Sequence, residues 1–282
     1  MPTMHTSLAR RTLLALISSA ALAGCTTVPA APSLPAQSVV SVPSEQGSAG
    51  ALMLMPRASG RYPAVILWPD ITGLRPSFAQ LARTIADAGY VVLVPNEFYR
   101  SVTLDGSEAT AQPRLSFGEA MQRATPWRAA AGDEAVLADT KAFVAYLDTL
   151  PQVDTAAGVG SVGADIGGAH AFISARALPD RIKAVAAIHP LSVATTRDTS
   201  PHLFVSQSKA RYLVEIAAAD DAREPEDKGD LAHAFSTAGL QGEVLVIGAG
   251  HGYLVPDDPA FDAASAEATS ERIIALLDAT LK

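Results

Sequence analysis

Gly163-Ala164-Asp165-Ile166-Gly167-Gly168 lies between an apolar run at residues 157–162 and a segment that reads as a helix through Ala177. The run reads as a strand. Glycines on both sides of Asp165 let the chain reverse sharply from strand to helix, and such a turn lifts its central side chain clear of the sheet. A glycine-rich strand-to-helix turn can also cradle phosphate. Here, however, the P-loop lysine and the full dinucleotide fingerprint are both missing.

On either side of this turn, strand-like runs alternate with amphipathic helices. Residues 51–55 and 63–68 read as strands, the first near a sheet edge. Residues 76–88 place Phe78, Leu81, Ala82 and Ile85 on one helical face, and Gly89 stops the helix. Residues 90–94 form a continuous β-branched run, as a strand buried on both faces requires. Residues 101–128 show no clear period and read as an excursion at the carboxyl edge of the sheet. A helix over 133–150 buries Val136, Phe143, Val144 and Leu147. Strands follow at 184–188, 210–216 and 243–247, with helices near 226–238 and 263–281. This alternation predicts an α/β fold, a mostly parallel sheet with helices on both faces. Ligands of such sheets bind beyond the carboxyl ends of the strands, so the turns after strands are where chemistry belongs.

Three turns carry it. The first presents Asp165 in the context of a nucleophile elbow, G-x-Nu-x-G. The second, residues 219–225, offers Asp220 and Asp221. The third, residues 248–253, offers His251. The chain order is nucleophile position, acid, histidine, as in the α/β-hydrolase fold. Ser161 does not substitute for Asp165, because Val159 rather than glycine lies two residues before it. His170, His189 and His202 lack spaced carboxylate or histidine partners and read as structural or substrate-lining residues, not metal ligands.

The chain has 282 residues, 49% hydrophobic and 18% charged, with a net charge of −8 and no basic run after its first residues. That balance disfavours a nucleic-acid partner. The single cysteine excludes an intramolecular disulfide and has its own context. Arg10 and Arg11 precede an apolar stretch too short to span a bilayer comfortably, which ends in Leu22-Ala23-Gly24-Cys25. This looks like a bacterial lipobox, in which Cys25 is acylated. Residues 1–24 are expected to be a lipoprotein signal and 25–36 a Pro- and Ala-rich tether. Residues 37–282 are expected to be the folded domain. The expected localisation is an exported, membrane-anchored lipoprotein facing the periplasm.

With those pieces assembled, the chain resembles the dienelactone hydrolase family. The matching stretches are residues 68–76, 89–95 with Tyr99-Arg100, the 163–168 elbow, 200–202, 221–225, and His251-Gly252-Tyr253 through Asp262. The resemblance implies that His251 is a catalytic base oriented by Asp221, which stands four residues before Pro225, with Asp220 as the near alternative. It further implies an oxyanion hole formed by the Ile71 and Ile166 N–H groups, with Asp70 and Arg100 near the substrate. No cofactor or metal is implied, and the expected partners are a small-molecule substrate and, through Cys25, a membrane. The chain departs from the family in carrying Asp165 where relatives carry Cys or Ser. It also lacks a second carboxylate-binding arginine within residues 252–258. A carboxylate attacking an ester carbonyl would form an anhydride, a poor route. Attack on a saturated carbon bearing a halide or an epoxide oxygen gives a stable alkyl ester that water can cleave. Two alternatives stand beside this: water activated by His251 with Asp165 as polar support, and a degenerate site on a binding or scaffold lipoprotein.

Overall fold

The computed structural model describes residues 1–2, 36–102 and 116–282. The readings placed on residues 3–35, Cys25 among them, lie outside the described residues, as does the middle of the 101–128 excursion. The strands are β1 (Gln37–Ser44), β2 (Gly47–Leu54), β3 (Ala64–Trp68), β4 (Val91–Pro95), β5 (Val159–Ala164), β6 (Ile182–Ile188), β7 (Arg211–Ala217) and β8 (Gly242–Ile247). They form one sheet in the order β1-β2-β4-β3-β5-β6-β7-β8. The pairs β1/β2 and β2/β4 are antiparallel, and every later pair is parallel. This is the mostly parallel α/β-hydrolase sheet that the alternation predicts.

β3 shows how the sequence divides the core. Ile66 and Trp68 pack into one cluster with Phe143 and Phe172. Val65 and Leu67, pointing the other way, join a second cluster with Phe78, Ile85, Ile273 and Leu277. Both faces of a central strand are therefore covered, which explains why such runs show no polar alternation. Helices α3 (Asp133–Asp148) and α4 (Ile166–Ala177) cover the first face. Helices α1 (Pro76–Asp87) and α7 (Ala263–Leu281) cover the second. In α1, Pro76 opens the helix where its missing N–H costs nothing. Gly89 leaves it at φ 96°, a left-handed conformation suited to glycine.

Four elements were not visible in the sequence pattern. β1 exposes alternate residues at the sheet edge. α2 (Phe117–Ala130) contains Pro126 and is opened by a Ser116–Glu119 capping box. A 3₁₀ turn (Pro201–Gln207) follows β6, and the short α5 (Ala218–Arg223) follows β7. The remaining helix, α6 (Asp227–Thr237), lies within the expected span.

Candidate active site

β5 delivers the chain into the elbow, where Asp165 takes φ 54° and ψ −121°. A non-glycine residue pays about 1–3 kcal/mol for such a backbone, so the surroundings must hold it. The Asp165 N–H donates to the Ile188 carbonyl at 3.1 Å, and its carbonyl accepts from Gly168 and Leu191 N–H at 3.1 and 3.2 Å. The glycines are required by contact. A Cβ on Gly163 would stand 1.9 Å from the Gly167 carbonyl oxygen, and one on Gly167 would stand 2.3 Å from that of Pro69.

The lifted carboxylate is buried at 3% exposure, and its two oxygens have different surroundings. Oδ2 accepts the Ile71 N–H at 3.0 Å. Oδ1 stands 3.5 Å from His251 Nε2, at ion-pair range rather than in a tight hydrogen bond. The other ring nitrogen of His251, Nδ1, is 2.7 Å from Asp220 Oδ2. Burial alone would depress the His251 imidazolium, but its bonds and charge pairing with Asp165 and Asp220 outweigh that and raise it to about 10. His251 is therefore an imidazolium at neutral pH.

The carboxylate on His251 is Asp220, which corrects the expectation of Asp221. Both lie in α5, and consecutive helical residues point about 100° apart, so only one can face the ring. Asp221 turns outward to Lys228 Nζ at 2.6 Å. Asp220 is buried, with Arg223 on its second oxygen at 2.8 Å. Burial favours its neutral form, yet the bonds from His251 and Arg223 hold its carboxyl below the usual range.

The Ile71 N–H, expected in the oxyanion hole, is aimed at the elbow carboxylate. Ile166 opens α4, where N–H groups have no partner within the helix. The two substrate-binding expectations need correction. Asp70 gives both oxygens to Arg75, at 2.7 and 2.8 Å, and accepts the Thr72 N–H and hydroxyl on Oδ1. Arg75 is 1% exposed and also pairs with Asp257. Asp70 thus braces the loop that carries Ile71 instead of facing a substrate. Arg100 sends both terminal nitrogens to Asp139, each at 2.7 Å, and its Nε to Gln46. Its side chain is 9% exposed, so no free guanidinium face remains for a substrate carboxylate.

Around this centre lie groups that the motifs did not single out for chemistry. His189 follows β6 at φ 37°, is 1% exposed, and packs edge-on to His251 at 4.8 Å. Its burial, reinforced by the charge of His251, lowers its pKa to about 4. Glu97, in the turn after β4, is 2% exposed. A cavity of about 350 Å³ adjoins the elbow, lined by Ile166, His170, Leu191, Phe98, Arg128 and Arg197 among others. A larger groove of about 770 Å³, lined by Gly158, Lys183 and Arg211, lies at the amino ends of the strands, away from these side chains. Among the described residues, no group of three or more His, Cys, Asp or Glu is arranged to hold a metal ion.

An elbow carboxylate, a histidine and an acid, each at the carboxyl end of a strand, define an α/β-hydrolase-fold protein. The model of the Dienelactone hydrolase family matches residues 49–281, and the chain belongs to that family. A Synechocystis protein assigned as a carboxymethylenebutenolidase is 22% identical over 248 residues, which are 86% of this chain and 97% of that one. A Bradyrhizobium protein assigned as a 2-oxo-3-(5-oxofuran-2-ylidene)propanoate lactonase is 32% identical over 126 residues, 45% of this chain and 46% of the other. Among solved structures, one assigned as a dienelactone hydrolase from Klebsiella pneumoniae superposes with a TM-score of 0.73 at 21% identity, covering 86% of this chain and 98% of its own. At these identities the structural likeness establishes the fold.

Proposed function

We propose that this family member is a hydrolase acting on a small organic electrophile at a saturated carbon, an epoxide or alkyl halide, through an alkyl ester on Asp165. The observation that carries the reading is the division of labour between the Asp165 oxygens. Oδ2 rests on the Ile71 N–H, where the carbonyl oxygen of an Asp165 ester would later need its oxyanion stabilised. Oδ1 is left to attack. The imidazolium of His251 stands 3.5 Å from that oxygen in the resting site. Once Asp165 is esterified its charge is gone, the His251 pKa falls, and the ring becomes a base for water. The rival reading, water activated directly by His251, needs a neutral ring in the resting site, and the two carboxylates oppose that. The cavity of about 350 Å³ suits a small substrate.

The test is His251→Ala incubated with a reactive haloacid or epoxide. Attack needs no base but ester hydrolysis does, so an adduct should accumulate on Asp165 and appear in a peptide mass spectrum. Its absence with both reagents refutes the nucleophile assignment. A second reading rests on the same Oδ2 contact: if the site is degenerate, Asp165 merely plugs the oxyanion hole. In that case Asp165→Cys yields ester or lactone hydrolysis while wild type forms no adduct.

The lipobox-like Leu22-Ala23-Gly24-Cys25 supports the further proposal that the protein is exported and held at a membrane through acylated Cys25.

A further inference from the structure

The turn after β4 is tied down by Asn96, whose side chain donates to the Val102 carbonyl at 2.7 Å and accepts the Phe98 N–H at 3.1 Å. The next residue, Glu97, is thereby turned inward at 2% exposure, and neither carboxyl oxygen has a hydrogen-bond partner among the described residues. His170 faces it, with Nδ1 4.0 Å from Glu97 Oε2 and likewise without a hydrogen-bond partner among the described residues. The imidazole ring packs edge-on to the Trp68 indole at 5.4 Å, and that indole is fixed by Ser161 and Ser174 hydroxyls. His170 stands one helical turn past Ile166, on the same face of α4, and both line the cavity beside the elbow.

A buried carboxylate with no partner is too costly to persist, so such a group keeps its proton. Burial, then the charges of Asp70 and Asp165, push the Glu97 carboxyl well up, against the pull of Arg75 and Arg128. Burial and Arg128 depress His170 to about 4, against the pull of Asp165. A neutral acid thus faces a neutral imidazole. The acid holds a proton with no acceptor, and the ring offers an acceptor with no donor. They stand about 1 Å beyond the usual limit of a hydrogen bond, close enough for a side-chain adjustment to join them.

We propose that Glu97 and His170 are a second acid–base pair of this site, in which His170 protonates the oxygen leaving the substrate and Glu97 replaces that proton from behind. This rests on the reading of Asp165 as nucleophile and narrows its substrate class. A halide leaves as a stable anion and needs no proton, whereas an epoxide oxygen leaves as an alkoxide and does. The pair assigns the site to epoxides. In the first step Asp165 Oδ1 bonds to the epoxide carbon and the C–O bond breaks. The oxygen takes the Nε2 proton of His170, and Nδ1 takes the Glu97 proton. The negative charge that leaves Asp165 on esterification then resides on Glu97. After hydrolysis, Glu97 recovers from solvent a proton equal to the one that His251 releases when Asp165 loses its charge. His170 is a catalytic residue in this scheme and Glu97 a positioning residue that acts through it.

The experiment measures alkylation of Asp165 by mass spectrometry in the His251→Ala background, with an epoxide and an alkyl bromide of the same carbon skeleton. His170→Gln should lower the epoxide-to-bromide rate ratio by about 10²-fold, the scale of a positioned general acid. Glu97→Gln, which keeps shape but carries no transferable proton, should lower the ratio by about 10-fold or more, again on the scale of general-acid catalysis. Equal losses on both reagents, or an unchanged ratio, overturn the pair while leaving Asp165 as nucleophile. No adduct from either reagent in the parent variant overturns the nucleophile reading and this proposal with it. Should His170→Gln fail to fold, the ratio for Glu97→Gln decides.

Discussion

Asp165→Asn removes one of the two carboxylates that hold His251 as an imidazolium and nearly preserves the shape of the elbow side chain. It also imitates the charge state of an esterified Asp165. With Asp165 Oδ1 3.5 Å from Nε2, two opposite unit charges attract by about 5 kcal/mol at an effective dielectric of about 20. At 1.36 kcal/mol per unit that bounds the effect near 3 to 4 pKa units. The ring is 30% exposed, and solvent screening brings the expected fall to about 2 units. The value should stay above the ordinary 6.5 because Asp220 remains at 2.7 Å. NMR titration of the imidazole C–H resonances, with His251→Gln to identify the signal, measures it. The sign extends to stability. A raised folded pKa contributes fully below the ordinary value of 6.5 and is lost as pH climbs through about 10. Wild type should therefore lose melting temperature between pH 7 and 10 more steeply than Asp165→Asn. A wild-type His251 that titrates near 6.5, or a variant shift below about half a unit, refutes the imidazolium argument and the route through Asp165 that depends on it.

Other outcomes follow from particular contacts. Asp220→Asn should slow hydrolysis of the Asp165 ester by at least about 10²-fold in single turnovers. Asp221→Asn loses only a surface pair with Lys228, worth about 1 kcal/mol at most, and should change that rate by less than about 2-fold; the reverse ranking would return the acid role to Asp221. Gly167→Ala places a Cβ 2.3 Å from the Pro69 carbonyl oxygen. It should destabilise by about 1–3 kcal/mol or more, seen as a melting temperature lower by several degrees, and an unchanged value refutes the close approach. Cys25→Ser should move the protein from the detergent to the aqueous phase on partitioning without altering its melting temperature. Equal partitioning of both forms into water refutes the anchor.

What the sequence disclosed, and what it withheld, divides along local and long-range physics. The elbow was legible because part of its glycine requirement is local: Gly163 meets Gly167 four residues on, and the positive φ of Asp165 belongs to the turn itself, whereas the approach of Gly167 to Pro69 appears only in the fold. The helix over Pro76–Asp87 was legible from its apolar face and the glycine that stops it. The choice between Asp220 and Asp221 was not, because it depends on the phase of a six-residue helix that only its packing fixes. Arg100 matched a motif position, yet its orientation is set by Asp139 on α3, a partner 39 residues away. Asp70 was likewise claimed by Arg75, five residues on, a pairing that neither strand nor helix periodicity marks. Glu97 gave no signal at all. A glutamate after a strand reads as a solvated loop residue, and only the fold shows it sealed against His170.

The protonation states of the three histidines follow from what each ring touches. His251 is partly exposed and stands between two carboxylates, so it is charged. His189 and His170 are buried, one edge-on to that charged ring and the other facing a neutral acid, so both are uncharged. Only His251 owes its state to Asp165 through direct contact, so only its state reverses sharply when that carboxylate is consumed. Groups whose surroundings push their pKa values apart are what a reaction with separate acid and base steps requires. In the first step of the proposed route the protonated His251 does no base chemistry, and proton delivery falls to His170. In the second, the neutralised His251 takes the proton from water while Ile71 holds the ester oxygen. A serine at position 165 would be neutral before attack and would leave His251 paired with Asp220 alone, ready to act as a base at the outset. On the proposed route, aspartate in place of serine at the elbow moves base catalysis from the step that forms the covalent intermediate to the step that cleaves it.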